Sequence, residues 1–440
     1  MRGSELALCF LAGCVTDPIM PMNMDGGDAN SSESTSPVAL QGTVIDELGA
    51  PVGDVQIAIG DKIATSAADG TFTLMGVTTP YDVVLGFKSD LPTSGKRMTS
   101  FQGLSTMTPH LQIAAYRKHV GSFNITSGLT LGATERFGFC VAPSNAATDF
   151  AYASPLANPM GPLGWFGQSP ISGTGWYIRF SQTGGIGDIP TGSAPYTSIA
   201  SQAFQSLGDG QTLTVSGLTF TPITHVHVTG AINYKGNTGD TLHMVLRPSP
   251  KAIFDFATAF TQGAYDFWVP TAPFTFGVRV RALTPQGGYS TAWTVDHKGD
   301  MTATPPPLTV PIALPDGNIN TTSPASDATV GTGDKLAWTA VPNAAYVVSL
   351  SCPPPAKNVQ PIYDADILTF QPTAVVPDTS KVGNVSPPAM ARCAWSVTAF
   401  TGPKSADDLA SAGWQSQAVP DRAIADGWEL TSKSVTYNAK

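Results

Sequence analysis

Gln41-Gly42-Thr43-Val44-Ile45-Asp46, Leu48-Gly49-Ala50-Pro51-Val52 and Asp54-Val55-Gln56-Ile57-Ala58-Ile59-Gly60 follow one another near the start of the chain. Val55, Ile57 and Ile59 fall on one side of an extended segment, because successive strand side chains point to opposite faces. Ala68-Asp69-Gly70 then supplies a turn suited to positive φ, and the strands Thr71-Phe72-Thr73-Leu74 and Tyr81-Asp82-Val83-Val84-Leu85 follow it. A stretch that alternates and turns in this way predicts a small β-sandwich rather than a helix.

The same chemistry extends along all 440 residues. Gly (44) and Pro (37) punctuate short apolar runs, charged residues make up only 12%, and 42% hydrophobic content is ample for cores. The fold class is therefore all-β, with several tandem β-sandwich domains, since the length exceeds a single ordinary core. A net charge of −9 without a Lys/Arg cluster argues against a nucleic-acid partner. No apolar run of helix-spanning length occurs.

The spacing G-x-V-x-D-x-x-G-x-P-V from Gly42, then D-G-x-F-x-L from Asp69 and Y-x-V at Tyr81, resembles the carboxypeptidase regulatory-like family. The resemblance covers about residues 38–90 and implies a transthyretin-like sandwich of the carbohydrate-binding-like class. It implies an accessory module without peptidase residues. Near the other end, Leu336-Ala337-Trp338, Ala345-Tyr346-Val347-Val348 and Cys393-Ala394-Trp395-Ser396-Val397-Thr398-Ala399 resemble a fibronectin type III-like sandwich. Trp338 would be its core tryptophan, packed by Tyr346 and Trp395. The Pro-rich insertion 353–388 departs from the compact repeat and leaves the strand order around it open. The tail around Trp428 and Val435 is expected to close its sheet.

Leu11-Ala12-Gly13-Cys14 follows the apolar run Leu6–Ala12 and resembles a bacterial lipoprotein processing site. The resemblance implies cleavage before Cys14, acylation of its thiol and amino terminus, and a membrane partner through that lipid anchor. Val15, where an aspartate would direct retention in the inner membrane, points to the outer membrane. Only Arg2 supplies positive charge upstream, opposed by Glu5, so a cytosolic chain remains the alternative. The expected organisation is a signal peptide over 1–13, a disordered tether over 14–37, and the regulatory-like sandwich over 38–110. Sandwiches of unknown family follow over 111–215 and 216–303, then a Pro-rich linker over 304–320 and the fibronectin-like sandwich with its extension over 321–440. Asp25-Gly26-Gly27-Asp28 in the tether lacks the ligand spacing of a calcium loop.

The two middle sandwiches are candidates for a duplication. Val120-Gly121-Ser122-Phe123-Asn124 is similar to Val228-Thr229-Gly230-Ala231-Ile232-Asn233, Asp149-Phe150-Ala151 to Asp255-Phe256-Ala257, and Tyr177-Ile178-Arg179 to Gly277-Val278-Arg279. Two unrelated sandwiches with common strand chemistry are the alternative. Of five cysteines, Cys352 and Cys393 fall in one domain and can form a disulfide in an oxidising compartment, or remain buried thiols. Cys140 is then unpaired and reads as a small buried hydrophobe.

The chemistry-bearing candidates are few. Within the Gly- and aromatic-rich stretch 154–192, Trp165, Phe166, Trp176 and Tyr177 are the ligand-binding candidates, because flat aromatics stack on the C–H faces of sugars. The competing reading makes them anchors of a long loop. His225-Val226-His227 places two imidazoles on one strand face, and His243 could complete a zinc set, although no carboxylate or cysteine is near in sequence. Asp364-Ala365-Asp366 offers a carboxylate pair for glycoside hydrolysis or, more simply, a solvated loop. No nucleophile elbow, zinc-protease motif or phosphate loop occurs. The reading is a non-catalytic cell-envelope lipoprotein without cofactor or metal, displaying sandwiches for adhesion to a glycan or protein ligand. A carbohydrate-binding surface lipoprotein and a hydrolase of unrecognised family are the alternatives.

Overall fold

A computed structural model describes residues 38–46, 49–88, 96–113, 118–126, 131–132, 134–144, 146–148, 152–153, 160–167, 169–181, 189–190, 195–249, 252–259, 263–271, 273–295, 297, 308–352, 363–383, 387, 389–412 and 426–440. The chain is all-β, with the short helix Ala406–Ala412 and one 3₁₀ turn among these residues. Cys14, the tether and residues 304–307 lie outside them.

The opening stretch forms the strands its alternation predicts, Val38–Ile45, Gln56–Ile59, Lys62–Thr65, Thr71–Val77 and Tyr81–Lys88, followed by Lys96–Leu104 and His110–Gln112. Gly70 has φ +77° in its turn, and Asp69 accepts from the Thr71 hydroxyl at 2.7 Å. Counting the seven strands in chain order, one sheet runs fourth-first-seventh and the other third-second-fifth-sixth. Val55, Ile57, Ile59, Phe72 and Leu85 fill the space between the sheets.

That strand order recurs twice. In the second unit Met160–Gly167, Lys118–Ile125 and Thr212–Val215 form the fourth-first-seventh sheet. Tyr152–Ala153, Glu135–Pro143, Ile171–Ser181 and Tyr196–Leu207 form its partner; Ala146–Thr148 adds an edge to the first of these sheets and Thr221–Pro222 to the second. In the third unit Ala264–Pro270, His225–Asn233 and Leu308–Thr309 repeat the first sheet. Ala252–Ala259, Thr238–Ser249, Thr275–Leu283 and Tyr289–Trp293 repeat the second. In all three units the last strand lies parallel to the first, as in Thr43↔His110, Ser122↔Thr212 and Val228↔Leu308. Val120 and Val228 therefore sit on equivalent first strands, and Arg179 and Arg279 on equivalent fifth strands. Asp149 lies outside the described residues.

The linker expected over 304–320 is corrected in part. Leu308–Thr309 and Ile312–Ala313 pair with His225–Asn233, and Val310, Ile312 and Leu314 are buried in the third unit's core. Pro311 is accommodated because it interrupts an edge of the sheet, where a missing N–H breaks no ladder.

The fourth unit has a different order. Thr321–Ser323, Lys335–Trp338 and Thr373–Val375 make one sheet, while Tyr363–Thr369, Ala345–Cys352, Arg392–Phe400 and the tail strands Gly427–Thr431 and Val435–Ala439 make the other side. Trp338, Tyr346 and Trp395 are buried together, and the Trp338 and Tyr346 rings lie 5.3 Å apart. The Tyr346 hydroxyl donates to the Val341 carbonyl at 2.9 Å. Cys352 and Cys393 are joined by a disulfide between adjacent strands.

The units are not strung end to end. Residues Pro37–Lys440 form one compact body, built around a 14-stranded sheet to which three units contribute. The fourth unit lies in the middle of it. Its Gly427–Thr431 pairs antiparallel with Tyr289–Trp293 of the third unit, and its Tyr363–Thr369 pairs parallel with Lys96–Leu104 of the first. The second unit stacks on the third through its five-stranded sheet. Phe137, Phe139 and Tyr177 on one face fill its own core, while Cys140, Ile178 and Phe180 on the other enter the third unit's core.

The seam between the first and fourth units is also ionic. Arg97 reaches Asp366 at 3.0 Å and Asp364 at 3.5 Å, and the Ser349 hydroxyl donates to Asp366 at 2.7 Å. Asp366 is buried, so removing its cation leaves a desolvated carboxylate. Arg97→Ala is expected to lower stability by about 2 kcal/mol, and adding Asp366→Ala to restore part of it. Denaturant titration of the two variants checks this; equal stability of Arg97→Ala and the parent would refute it.

Candidate functional site: an outward aromatic and acidic ladder

The aromatics expected to form a binding platform are mostly core residues. Trp165 has no exposed surface and Tyr177 is buried against Phe137 and Phe139, with rings 5.9 and 5.2 Å away. Trp165 faces inward from Met160–Gly167, beside His119 at 5.6 Å. Trp176, on the opposite face from Tyr177, packs against the third unit's core. The side chain of Phe166 lies outside what the structure describes. Trp165 and Tyr177 are thus corrected from ligand-binding candidates to packing residues. The nearby glycines sit where the chain is crowded: the Tyr177 hydroxyl lies where a Gly175 side chain would be, and the Ala142 carbonyl where a Gly173 side chain would be.

The two imidazoles of His225-Val226-His227 diverge from His243. His225 accepts from the Tyr196 backbone N–H at 3.1 Å and stacks on that ring, and burial holds its pKa below the ordinary value. His243 lies on another sheet, 2.9 Å from Asp255, which Arg279 also contacts at 3.0 Å. Burial alone would raise the Asp255 pKa, but His243 and Arg279 bring it below the usual carboxylate value. No group of three or more metal-ligating side chains occurs among the described residues.

What does face outward is a ladder across His225–Asn233 and Ala264–Pro270. In Ala264-Tyr265-Asp266-Phe267-Trp268-Val269-Pro270, strand alternation sends Tyr265, Phe267 and Val269 into the core. Asp266 and Trp268 go the other way. The register sets Thr229 opposite Asp266 and His227 opposite Trp268. The His227 and Trp268 rings stack at 4.9 Å with 19° between planes, and His227 Nε2 lies 2.5 Å from an Asp266 oxygen. Asp266 is 70% exposed, and Trp268 is partly exposed on the outermost strand of its sheet. Sequence reading missed this ladder, although period-two alternation through Tyr265–Val269 carries the signal.

A second polar group marks the seam between the third and fourth units. Thr291 is opposite Glu429, and Arg281 is opposite Thr291. Burial pushes the Glu429 pKa up to about 7, with Thr291, Arg279 and Arg281 acting in the opposite direction. The native state therefore holds this proton above the pH at which the unfolded chain releases it. Stability contributed here is expected to fall, by about 2 kcal/mol, as pH rises from about 4.5 to about 7. Thermal melts of the parent and Glu429→Gln across that range check the sign: the glutamine variant should lose this part of the slope.

No protein-family model matches the chain, and no curated protein matches it. Among solved structures it is similar to a candidate adhesin from Bacteroides ovatus (8% identity, 46% of this chain, 94% of the other, TM-score 0.17). It is also similar to a streptococcal ancillary pilin (10% identity, 63% and 99%, TM-score 0.15) and the Bacillus anthracis TIE protein (10% identity, 79% and 61%, TM-score 0.14). At these TM-scores the similarities assign neither a fold nor a function.

Proposed function

We propose that this chain is a non-catalytic cell-envelope lipoprotein, anchored through Cys14, that presents a rigid block of β-sandwiches for adhesion. The observation that carries the reading is edge-to-edge fusion of three units through one sheet, which makes a stiff body with fixed faces. The paired Cys352 and Cys393 fit an oxidising compartment. Asp364 and Asp366, the carboxylates that favoured a hydrolase, are both engaged by Arg97. That engagement weighs for a structural role.

The test is fractionation of cells producing the parent and Cys14→Ser, together with surface labelling. The parent is expected in the membrane fraction, incorporating labelled fatty acid, and the variant in the soluble envelope fraction. A Cys14→Ser protein that stays membrane-bound, or a parent confined to the cytosol, would overturn the reading.

A further inference from the structure

We infer that the ladder formed by Trp268, His227 and Asp266 is a subsite for a neutral pyranose. The inference rests on the adhesive reading above and supplies it with a ligand class.

Three properties meet at this one place. The first is a flat, partly exposed ring that is held on one side. His227 covers one side of the Trp268 indole in a near-parallel stack. The strand that carries Trp268 ends its sheet, and no other ring contacts it among the described residues. A pyranose presents an apolar patch of axial C–H groups of the size of an indole face, and burying that patch against the ring gives area-dependent affinity. Holding the indole with His227 beforehand removes rotamer freedom that binding would otherwise have to freeze.

The second is a carboxylate set at the edge of that ring. Asp266 stands two residues from Trp268 on the same strand face, so the two side chains project side by side. An ionised carboxylate accepts through both oxygens and can take two adjacent sugar hydroxyls. Contact with His227 fixes its orientation. The third is charge. Asp266 is largely exposed and the chain carries −9, so uronic and sialic acids meet repulsion, and uncharged hexoses do not. A polar group that needs hydroxyl partners, beside an aromatic that needs an apolar face, is the complement of a neutral sugar. A purely apolar peptide side chain would make no use of the Asp266 oxygens that His227 leaves exposed.

Arg97 with Asp364 and Asp366, and Arg279 with His243 and Asp255, consist of charged groups already engaged with each other. The free strand edge Lys62–Thr65, with Ile63 exposed, carries a lysine that opposes pairing with a further strand.

The test uses the full chain. A glycan array containing neutral and sialylated structures is probed with the parent, Trp268→Ala, Trp268→Tyr and Asp266→Asn. Methyl pyranosides of the common neutral hexoses are then titrated while the tryptophan indole N–H signals are followed by NMR. The parent is expected to bind at least one neutral glycan, with a shift of the signal that Trp268→Ala removes. Trp268→Ala is expected to weaken binding at least about tenfold, Trp268→Tyr less, and Asp266→Asn about fivefold. Unfolding midpoints of these surface variants should match the parent, which separates loss of the site from loss of the fold. Binding of equal strength in the parent, Trp268→Ala and Asp266→Asn would place the sugar elsewhere and overturn the inference. So would a blank array together with no shift up to about 10 mM methyl glycoside. Either result leaves the adhesive reading standing, because membrane fractionation of Cys14→Ser judges that one separately.

Discussion

A chain ending at residue 320 is expected to be produced as soluble aggregates or inclusion bodies, although it contains three complete strand sets. Two consequences of the fold lead to this. Removing the fourth unit strips the pairing partners from Lys96–Leu104 and Tyr289–Trp293, and two bare strand edges are templates for association. It also opens the first unit's core, into which Ala345, Val347, Leu368, Phe400, Leu409 and Ala410 project. Burial of Val347, Leu368, Phe400 and Leu409 alone is worth roughly 6–12 kcal/mol at about 1.5–3 kcal/mol each, as much as an entire domain's stability. The helix Ala406–Ala412 contributes to the same contact, since Asp407 accepts from the Ser105 and Thr106 backbone N–H groups at 3.0 and 3.2 Å. Size-exclusion chromatography and dye binding distinguish the outcomes. A monodisperse 1–320 fragment with a cooperative melt would mean that the seams add little. As a companion, Phe400→Ala should cost about 3–5 kcal/mol and speed amide exchange in Tyr81–Lys88, some 300 residues away in sequence but across one core.

Replacing Cys352 and Cys393 by alanine is expected to lower stability by up to about 4 kcal/mol in the chain-entropy model, for a sequence separation of 41 residues. The disulfide ties Ala345–Cys352 to Arg392–Phe400 in the middle of the long sheet, where Ser351 faces Ala394 across the ladder. Its loss frees residues 353–392 from a closed loop in the unfolded chain. The folded chain keeps its ladder. Denaturation of the double variant, with and without reductant, gives the measurement. The parent in reductant should approach the variant, and the variant should ignore reductant. An unchanged midpoint in the variant would show that the crosslink adds nothing to the ladder it joins.

Local patterning made the fold class legible, and the unit-to-unit architecture escaped for a physical reason. Val55, Ile57 and Ile59 alternate because they share the face that fills the first unit's core, and Trp338, Tyr346 and Trp395 are buried together in the fourth unit. The seams use backbone hydrogen bonds between strands far apart in sequence, such as Ile367 with Ser100, and backbone groups carry no sequence signature. Asp364 and Asp366 looked like a solvated loop because prolines flank them. Their strand is paired on one side by Ala345–Cys352 and on the other by Lys96–Leu104, and their cation, Arg97, lies 269 residues from Asp366. Trp165 and Trp268 make the same point about sites. Both are tryptophans beside a histidine across a strand pair, and only the inward or outward parity of their strands separates a packing residue from a candidate contact. That parity was readable at Tyr265–Val269, whereas the glycines around Trp165 suggested an openness that close packing removes.

The parallel closure of first on last strand bears on what happens when the protein is pulled. Force applied between residue 38 and the chain leaving the first unit after residue 112 runs lengthwise along Val38–Ile45 and His110–Gln112, in opposite directions on two parallel strands. The hydrogen bonds joining them lie across the pulling axis, so all resist together in shear, instead of parting one after another as in a hairpin pulled from its open end. The second and third units, closed in the same sense, meet tension in the same geometry. Within the first unit these terminal pairs would carry such a load, and shortening His110–Gln112 would weaken them and also take Leu111 out of the core.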